Sequence, residues 1–398
     1  MSGYLISNVT ADCTGCGACR QACKLGAISF EEDSSGFAYP AVDRALCVKC
    51  GACMRACPVD NANLKPFPMV HGNCFGGFSK DHEIREESSS GGFFTGIVKS
   101  LWCQGCVVFG AVQMPDLSVA HTYAESFDDM GCYRKSKYAP SDTRQTYVEA
   151  KRFLDEGRRV IYSGTPCQIA GLKTFLGRDY EQLFTIDLVC HGYFAPLFFR
   201  KERDYYEQKF HSRAIGFDYR DKKNGTWTGH YVVWTFANGK RKKWFRFFAP
   251  YYRVWLKHLI SRPSCFACRF AGAERVADIT LGDYWHVEKT SALFGGNRGT
   301  SVVFGNSDKG KLVLEKLRES YVMQQLDRNE MTRHKLGMHG PIKANPRWRE
   351  ASEDLARLAY RSYLMKWARL GKRERLRYGQ KWLQVVISRM FSKIGWGI

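Results

Sequence analysis

Apolar runs alternate with amphipathic stretches through the middle of the chain. Residues 107–112 and 159–162 are short runs rich in β-branched and aromatic side chains, which predicts buried strands. Residues 146–155 and 168–176 are predicted helices, and residues 183–189 are a third predicted strand. This alternation predicts an α/β sheet, in which ligands bind beyond the carboxyl ends of the strands.

The pattern changes after residue 230. Residues 231–236 and 244–248 predict a β-hairpin around an Asn-Gly turn, with basic residues at its tip. From residue 309 onward the sequence is mostly helical and basic. No run approaches the ~18 apolar residues that a membrane-spanning helix needs, so no membrane span is predicted.

Two cysteine runs near the N-terminus share the spacing C-x2-C-x2-C-x3-C and an internal Cys-Gly-Ala-Cys sequence. Thiolates at this spacing can surround one 4Fe–4S cube, because a tight turn points successive sulfurs inward. In paired runs of this kind, the fourth cysteine of each run binds the other cluster. The spacing therefore predicts a two-cluster ferredoxin-type module. We assign the first cluster to Cys13, Cys16, Cys19 and Cys57, and the second to Cys47, Cys50, Cys53 and Cys23.

The alternative for these cysteines is a pair of zinc sites. Structural zinc sites take four ligands in two separated pairs, often with histidine, and two consecutive four-cysteine runs do not follow that pattern. Iron–sulfur clusters are kept intact in a reducing interior, so we expect few disulfides among the 16 cysteines and a cytoplasmic location. The N-terminus lacks a basic segment followed by an apolar core, which predicts no signal peptide.

The formal net charge of +21 predicts an acidic partner or surface. No helix-turn-helix, zinc-finger or RNA-recognition pattern is present in the sequence, so nucleic acid is not expected. Acidic electron carriers, phosphorylated cofactors, acidic sugars and anionic lipid head groups all remain open as partners.

Three further segments carry candidate chemistry. Ser90, Gly91 and Gly92 precede a predicted helix, whose free N–H groups and dipole favour an anion, although a plain capped helix has the same pattern. Residues 134–138 place three cations beside a tyrosine, either as a phosphate clamp or as solvated surface. Cys167 falls in the first turn of a helix, where the helix dipole lowers the pKa of a thiol.

The later cysteines indicate another site. Cys167 and Cys190 follow predicted strands, and Cys265 and Cys268 form a C-x2-C pair. If the two strand ends are neighbours, the pair can complete a third site; scattered thiols are the alternative. A similar pair within residues 103–106 follows an apolar helix without a second pair in phase, and is predicted to be two buried free thiols.

Together these motifs resemble a known family, the coenzyme F(420) hydrogenase/dehydrogenase beta-subunit family. The matching motifs are Ser-Gly-Gly at 90–92, Ser-Lys-Tyr at 136–138, Gly-Thr-Pro-Cys-Gln at 164–168, the cysteine pair at 265–268, and Ala-Asp-Ile and Gly-Asp within 277–283. The resemblance runs from about residue 75 to 330, and a fused N-terminal dicluster ferredoxin is familiar in this family. Bacterial relatives with that fusion are linked to polysaccharide pyruvyl-transferase loci.

The resemblance implies a flavin, usually FAD, with a third 4Fe–4S cluster beside it. The third cluster would be bound by Cys167, Cys190, Cys265 and Cys268. The flavin would be bound by Ser90, Gly91, Gly92, Ser136, Lys137, Tyr138, Gly164 and Thr165. Asp283 would position the substrate or cofactor, and His191 would supply a proton, with a purely structural histidine as the alternative.

We therefore predict a multidomain chain of mixed α+β and α/β class. A two-cluster bacterial ferredoxin-like module covers residues 1–65. A mixed α/β beta-subunit-like domain follows, with a flavin-binding part at 75–150 and the third cluster with the flavin and substrate site at 151–330. A basic helical tail covers residues 331–398.

The predicted function is that of an iron–sulfur flavoprotein oxidoreductase. It would pass electrons between the clusters, the flavin and a small organic substrate or deazaflavin-type coenzyme. The expected partner is an acidic electron carrier of the ferredoxin or flavodoxin type, or a reduced coenzyme. Two alternatives remain: an electron-transfer adaptor without an active site of its own, and a nucleophilic-cysteine enzyme using Cys167 and His191.

The last predicted helix is basic and amphipathic. Leu383, Val386, Ile387, Met390 and Ile394 fall on one face of this helix. Such a helix either lies on an anionic membrane surface, here at the inner face of the membrane, or packs its apolar stripe on the protein.

Overall fold

The structure is a computed structural model that describes residues 12–59, 64–67, 73–287, 293–294, 297–327 and 340–393. Within them the strands are β1 Ile28–Glu32, β2 Ala38–Val42, β3 Cys74–Ser79, β4 Val107–Gln113, β5 Val119–Ala124, β6 Ser141–Asp142, β7 Val160–Ser163, β8 Leu183–Leu188, β9 Ala214–Asp221, β10 Tyr231–Phe236, β11 Arg241–Phe245, β12 Ile279–Asp283, β13 Ser301–Gly305 and β14 Tyr321–Gln325. The α-helices are α1 Ala18–Ala22, α2 Ala52–Arg55, α3 His82–Glu86, α4 Phe93–Leu101, α5 Thr146–Asp155, α6 Pro166–Leu176, α7 Pro196–Phe210, α8 Pro250–Trp255, α9 Asp308–Leu317, α10 Trp348–Arg357, α11 Tyr360–Trp367 and α12 Lys372–Lys393. Short 3-10 helices cover Asp128–Tyr133 and Pro263–Ala267.

The N-terminal module combines an antiparallel hairpin with two short helices. β1 and β2 pair with Ile28 opposite Val42. α1 and α2 each begin directly after the glycine of the Cys-Gly-Ala-Cys repeat, and Gly17 and Gly51 have left-handed backbones with φ of 82° and 73°. Glycine adopts this conformation without the strain that a Cβ causes, so the repeated sequence builds the same turn twice. The predicted ferredoxin-like module is confirmed.

A nine-stranded sheet forms the body of the protein, in the order β14-β3-β13-β12-β8-β7-β4-β5-β6. Its centre is parallel, since β12, β8, β7 and β4 run in one direction. These strands are apolar because both faces of the sheet are covered, and Ile161 and Ile186 are completely buried. The mixed α/β fold is confirmed. Strands from both sides of residue 150 share this sheet.

The carboxyl ends of the parallel strands meet at one edge of the sheet. β7 continues through Gly164 into α6, β8 ends shortly before Cys190, and β12 ends at Asp283. The N–H of Gly164 donates to the carbonyl of Ile186 at 3.0 Å, which ties the β7 turn to the neighbouring strand. The motifs predicted at strand ends therefore lie at the edge where α/β proteins bind ligands.

A smaller sheet, β11-β10-β9, packs on α7 through the stacked rings of Phe199 and Trp234. β11 begins at Arg241, earlier than the predicted residue 244. The turn closes at once, because Gly239 has a φ of 79° and the N–H of Phe236 donates to the carbonyl of Lys240 at 3.0 Å. Most of the basic residues expected at the tip therefore belong to the strand.

α12 packs on the hairpin through a face other than the predicted apolar stripe. Tyr378 stacks on Phe247 with 5.0 Å between ring centroids. Trp382 Nε1 donates to Tyr231 Oη at 3.1 Å, and Val385 is buried. This face anchors the helix through aromatic rings and one aliphatic side chain.

The predicted apolar stripe of α12 is open to solvent where the structure describes it. Leu383 and Ile387 are 51% and 43% exposed, and Val386 is half-buried. The side chain of Met390 and all of Ile394 lie outside the described residues. The stripe therefore does not form the packed face, and contact with an anionic surface stays a prediction. In the described part of the chain, no helix combines the length and apolar character needed to cross a membrane.

Candidate functional site

The first predicted cysteine set lines one pocket. Cys13, Cys16, Cys19 and Cys57 form its walls together with the apolar side chain of Phe30. Burial raises the pKa of Cys19 to about 12, and the neighbouring Cys13 and Cys57 raise it further by charge repulsion. Thiols this close become thiolates together only when positive charge lies among them, which is what the irons of a cluster supply.

The second set lies nearer the surface. Cys50 is exposed, whereas Cys23, Cys47 and Cys53 are half-buried. Cys23 and Cys53 pack against the same small apolar core that contains Cys19. The fourth cysteine of each run is thus carried toward the other run, as the crossed assignment requires. The cysteines of the described residues form no disulfide.

The third set comes together from three separate elements. Cys167 lies in the first turn of α6, Cys190 follows β8, and Cys265 and Cys268 lie in and after a 3-10 helix. After burial, the thiols of this set raise one another's pKa by charge repulsion, and the pKa of Cys265 rises to about 12 and that of Cys268 to about 11. The N–H of Tyr193 donates to Cys265 Sγ at 3.3 Å. The predicted convergence of these four cysteines is therefore present in the fold.

Cys167 does not have the lowered pKa expected from the helix dipole. Burial raises its pKa, and hydrogen bonds only partly oppose that effect. Its Sγ lies 3.2 Å from Thr165 Oγ1 and 3.8 Å from Tyr193 Oη. His191 is exposed and is not among the hydrogen-bond partners described for Cys167; its pKa is lowered by burial, and the charge of Asp283 opposes this. The thiol is therefore held as a structural group rather than activated as a nucleophile.

Among the residues that the structure describes, no three His, Cys, Asp or Glu side chains converge closely enough to hold a single metal ion. Thiolates that bind the separate corners of a cube do not converge on one point, so this finding is compatible with clusters. The pair at 103 and 106 differs from its prediction. Cys106 is buried in the core, but Cys103 is exposed, because the chain turns back at Gly105.

The first and third cysteine sets are packed directly against each other. A Cβ added to Gly171 in α6 would lie 2.9 Å from Cys16 Sγ, so only a glycine leaves room for that sulfur. Tyr147 Oη lies 2.9 Å from the carbonyl of Cys16 and 2.8 Å from that of Gln168. The helix that begins with Cys167 therefore supports the cluster-binding loop of the N-terminal module.

Asp283 organises a second pocket at the same sheet edge. Arg220 Nη1 donates to Asp283 Oδ2 at 2.7 Å, and Trp227 Nε1 donates to Oδ1 at 3.0 Å. Arg220 Nη1 also lies 3.2 Å from Tyr138 Oη. Burial raises the pKa of Asp283, but the charge and hydrogen bond of Arg220 outweigh it and hold that pKa below its ordinary value. Trp227 stacks on Trp285 with 4.9 Å between ring centroids.

Cations outnumber acids in this region. Lys222 Nζ donates to the carbonyls of Arg85 at 2.8 Å and Arg298 at 3.0 Å. Burial and then the charge of Arg220 lower the pKa of Lys222 to about 7. Burial and then the charge of Arg298 lower the pKa of Arg85 to about 10. The cations raise one another's energy, so an added anion is favourable here.

Several buried guanidinium N–H groups of this pocket have no acceptor among the described residues. They are Arg220 Nε and Nη2, Arg246 Nε and Arg85 Nη2. Folded proteins satisfy nearly all buried donors. These orphaned donors therefore fit a ligand with several anionic oxygens, such as a phosphate or carboxylate.

The predicted flavin-binding turns meet near this pocket. The N–H of Ser136 donates to Ser89 Oγ at 2.8 Å, which joins the 134–138 loop to the Ser-Gly-Gly turn. Ser90 Oγ lies 2.7 Å from the carbonyl of Thr300, and the Ser90 hydroxyl also contributes to the lowered pKa of Asp283. Ser90, Ser136 and Asp283 are thus brought into one region.

Two residues of these turns have structural roles that their sequence context did not indicate. A Cβ on Gly91 would lie 2.4 Å from the carbonyl of Gly77, so its glycine is required by packing on β3 rather than by a ligand. Lys137 Nζ donates to two carbonyls of its own loop at 2.8 and 2.7 Å, and burial lowers its pKa to about 8. Gly92 has a φ of 90° and precedes α4.

The residues that sequence analysis missed are Arg220, Lys222, Trp227 and Trp285. They lie on β9, in the following loop and after β12, far along the chain from the Ser-Gly-Gly turn. The available signal was the alternation of Arg220 and Lys222 along one strand, since two cations on one face of a buried strand require a negative partner.

A chain with two ferredoxin-type cysteine sets docked on a mixed α/β sheet, beside a further cysteine set, is an iron–sulfur electron-transfer oxidoreductase. Residues 12–61 match the 4Fe-4S dicluster domain, and residues 157–329 match the C terminus of the coenzyme F420 hydrogenase/dehydrogenase beta subunit. The chain thus belongs to the beta-subunit family that its motifs resemble, with a dicluster domain at its N-terminus.

One solved structure with a similar chain is the F420-reducing [NiFe] hydrogenase complex from Methanosarcina barkeri, studied as a xenon derivative. The alignment covers 76% of this chain and 92% of that chain, at 18% identity and a TM-score of 0.43. No curated protein matches the chain.

Proposed function

We propose that the chain is an iron–sulfur flavoprotein oxidoreductase that links one-electron carriers to a small organic substrate or a deazaflavin-type coenzyme. The observation that carries this proposal is the packing of Cys16 on Gly171, which sets the first cysteine set against the helix that begins with the third. The cation-rich pocket around Asp283 lies at the same sheet edge. The polysaccharide-related setting implied by the resemblance stays a prediction.

The three cysteine sets fit 4Fe–4S clusters by the chemistry of their donors. Each set offers four thiols, and desolvation with mutual repulsion keeps the thiols neutral in the free protein. Thr165 and Tyr193 fix the position of Cys167, and the N–H of Tyr193 donates to Cys265 Sγ. Hydrogen bonds to ligand sulfurs of this kind raise the reduction potential of a cluster.

The pocket around Asp283 fits an anionic cofactor with a flat ring. Arg220 and Arg246 offer orphaned N–H donors, and Trp227 with Trp285 forms a stacked aromatic surface. We assign FAD binding to these residues together with the Ser90 and Lys137 turns. When bound, a flavin exchanges electrons singly or in pairs, whereas 4Fe–4S clusters exchange them singly.

The protein's own contribution in this pocket is orientation and exclusion of water. Asp283 fixes the Arg220 guanidinium through a 2.7 Å ion pair in which the Arg220 side chain is 1% exposed. The remaining Arg220 donors are therefore aimed in a set direction before any ligand arrives, which lowers the cost of binding.

The two alternatives are less well supported by these observations. An adaptor without an active site gives no account of the orphaned guanidinium donors of Arg220 and Arg246. A nucleophilic role for Cys167 requires a lowered pKa, but burial raises that pKa.

Cofactor content tests the proposal directly. The chain is reconstituted anaerobically with iron, sulfide and FAD or FMN, desalted, and analysed by absorbance and acid extraction. We expect a flavin to be retained together with the iron. A protein that keeps its iron but retains neither flavin refutes the oxidoreductase proposal and leaves the adaptor.

A further inference from the structure

Large apolar side chains are exposed around the second cysteine set. Leu25, Leu46 and Val48 are 53%, 50% and 69% exposed. Cys50 beside them is also exposed. Single exposed apolar residues are ordinary, but several grouped at one place on a surface mark an interaction site.

The hairpin of the N-terminal module brings these residues together. Ile28 pairs with Val42, and the N–H of Asp43 donates to the carbonyl of Ala27 at 2.9 Å. The segments 23–27 and 43–48 therefore leave the same end of the β1–β2 hairpin side by side. Each segment contains a cysteine of the second set, so the apolar side chains border that set.

The same segments carry one sign of charge. Residues 23–26 and 44–50 contain three basic residues and no acidic one. Lys24, Arg44 and Lys49 are all exposed. An apolar centre with a charged rim is the usual composition of a specific protein interface, and here the rim is positive. We call this surface the second-set face; it consists of Lys24, Leu25, Arg44, Leu46, Val48 and Lys49.

We propose that the second-set face is the docking surface for an acidic one-electron carrier protein of the ferredoxin type. The inference rests on the proposed function and adds to it the place where electrons are exchanged. On docking, the reduced carrier is oxidised by one electron and the chain is reduced by one electron, with no bond made and no proton transferred. Because Cys50 is exposed within this face, the carrier comes close to the second set without any rearrangement.

Charge decides between a carrier and a second copy of the chain. Two copies meeting at this face would oppose Lys24, Arg44 and Lys49 to one another, on chains with a formal charge of +21 each. Like charges placed together at an interface are unfavourable. An acidic partner gains from the same charges, both in affinity and in the rate of encounter.

The test uses holoprotein reconstituted anaerobically and an acidic bacterial ferredoxin as the probe, with a basic cytochrome as the opposite-charge probe. Binding is measured by calorimetry at low and high salt, and reduction by the ferredoxin is followed by stopped flow. The charge variant is Lys24→Glu with Arg44→Glu, and the apolar variant is Leu25→Ser with Leu46→Ser. The matched controls are Lys316→Glu and Leu312→Ser on α9, where Leu312 is 65% exposed.

We expect the wild type and both controls to bind the ferredoxin, with affinity that falls as salt rises, and not to bind the cytochrome. Both face variants should lose about tenfold or more in affinity and in the second-order reduction rate. Their iron content and their reduction by dithionite should stay unchanged.

Ferredoxin binding that is equal in face variants and controls would overturn the proposal, as would wild-type binding that is indifferent to salt. Loss of a wild-type dimer in the face variants would identify a second copy as the occupant and overturn it too. Failure of the proposed function has a different signature: dithionite then produces no reduced-cluster spectrum, or no flavin is retained, whatever the behaviour of the face variants.

Discussion

Arg262 joins the N-terminal module to the third cysteine set. Its Nε donates to the carbonyl of Cys13 at 2.7 Å, and its own carbonyl accepts the N–H of Cys265 at 3.0 Å. The guanidinium also lies over the ring of Tyr39, 4.1 Å from its centroid, and the residue is 2% exposed. One buried side chain thus fixes the distance between two loops that carry cluster ligands.

Arg262→Ala should loosen this junction. The loss of buried charged hydrogen bonds should lower the free energy of unfolding by about 1–3 kcal/mol. We also expect altered spin coupling between clusters in the EPR spectrum of the dithionite-reduced protein, at unchanged iron content. Arg178→Ala is the control, because Arg178 makes a surface ion pair with a side chain that is 67% exposed. An Arg262→Ala spectrum and stability equal to those of the control would contradict this role.

The ion pair of Arg220 and Asp283 should behave as a buried pair. Arg220→Met leaves Asp283 as an unpaired buried carboxylate, which should destabilise the protein by about 3–5 kcal/mol. The double variant Arg220→Met with Asp283→Asn should regain most of that stability but should still retain less flavin. Urea unfolding and flavin extraction separate the two effects. Full flavin content in the double variant would show that Arg220 does not bind the cofactor.

Sequence patterns predicted the elements that are specified locally. The helix at 146–155 and the turn between β7 and α6 follow from runs of neighbouring residues, and the Cys-Gly-Ala-Cys repeat specifies its own turn through Gly17 and Gly51. The grouping of Cys167 with Cys265 came from the family resemblance, because spacing alone left scattered thiols open.

The pocket around Asp283 could not be predicted in the same way. Its main partner, Arg220, is 63 positions away in the sequence, and nothing local links the two. Gly91 shows the opposite error: a glycine in a Ser-Gly-Gly turn matches an anion site, yet its neighbour is the carbonyl of Gly77 on another strand. Contacts between distant strands decide such cases, and they become visible only once the sheet order is known.

Glu202 should give the stability a dependence on pH. It is buried beneath α11, where Tyr360 Oη donates to its Oε1 at 2.7 Å, and burial raises its pKa from 4.5 to about 7. Between these values the folded state binds the proton and the unfolded state does not. The free energy of unfolding should therefore fall by up to about 3 kcal/mol as the pH rises through this window. Urea unfolding of Glu202→Gln should lack this component; an identical pH profile would contradict the assignment.

The exposed stripe of α12 gives a matched pair of variants for the anionic-surface prediction. Leu383→Glu with Ile387→Glu should abolish salt-sensitive binding to anionic vesicles without loss of stability, because both side chains are exposed. Val385→Glu should instead destabilise the protein, since Val385 is 8% exposed and packs near Gly229. If the wild type does not bind such vesicles, the membrane contact is wrong.

The iron content of the anaerobically reconstituted protein tests the central claim most directly. Three 4Fe–4S clusters require about twelve irons per chain, and the ferredoxin-like module alone requires about eight. We predict about twelve in the wild type and in the control Cys106→Ala, and about eight in Cys167→Ser. Wild-type protein that saturates near eight irons, with Cys167 open to alkylation, would contradict the account.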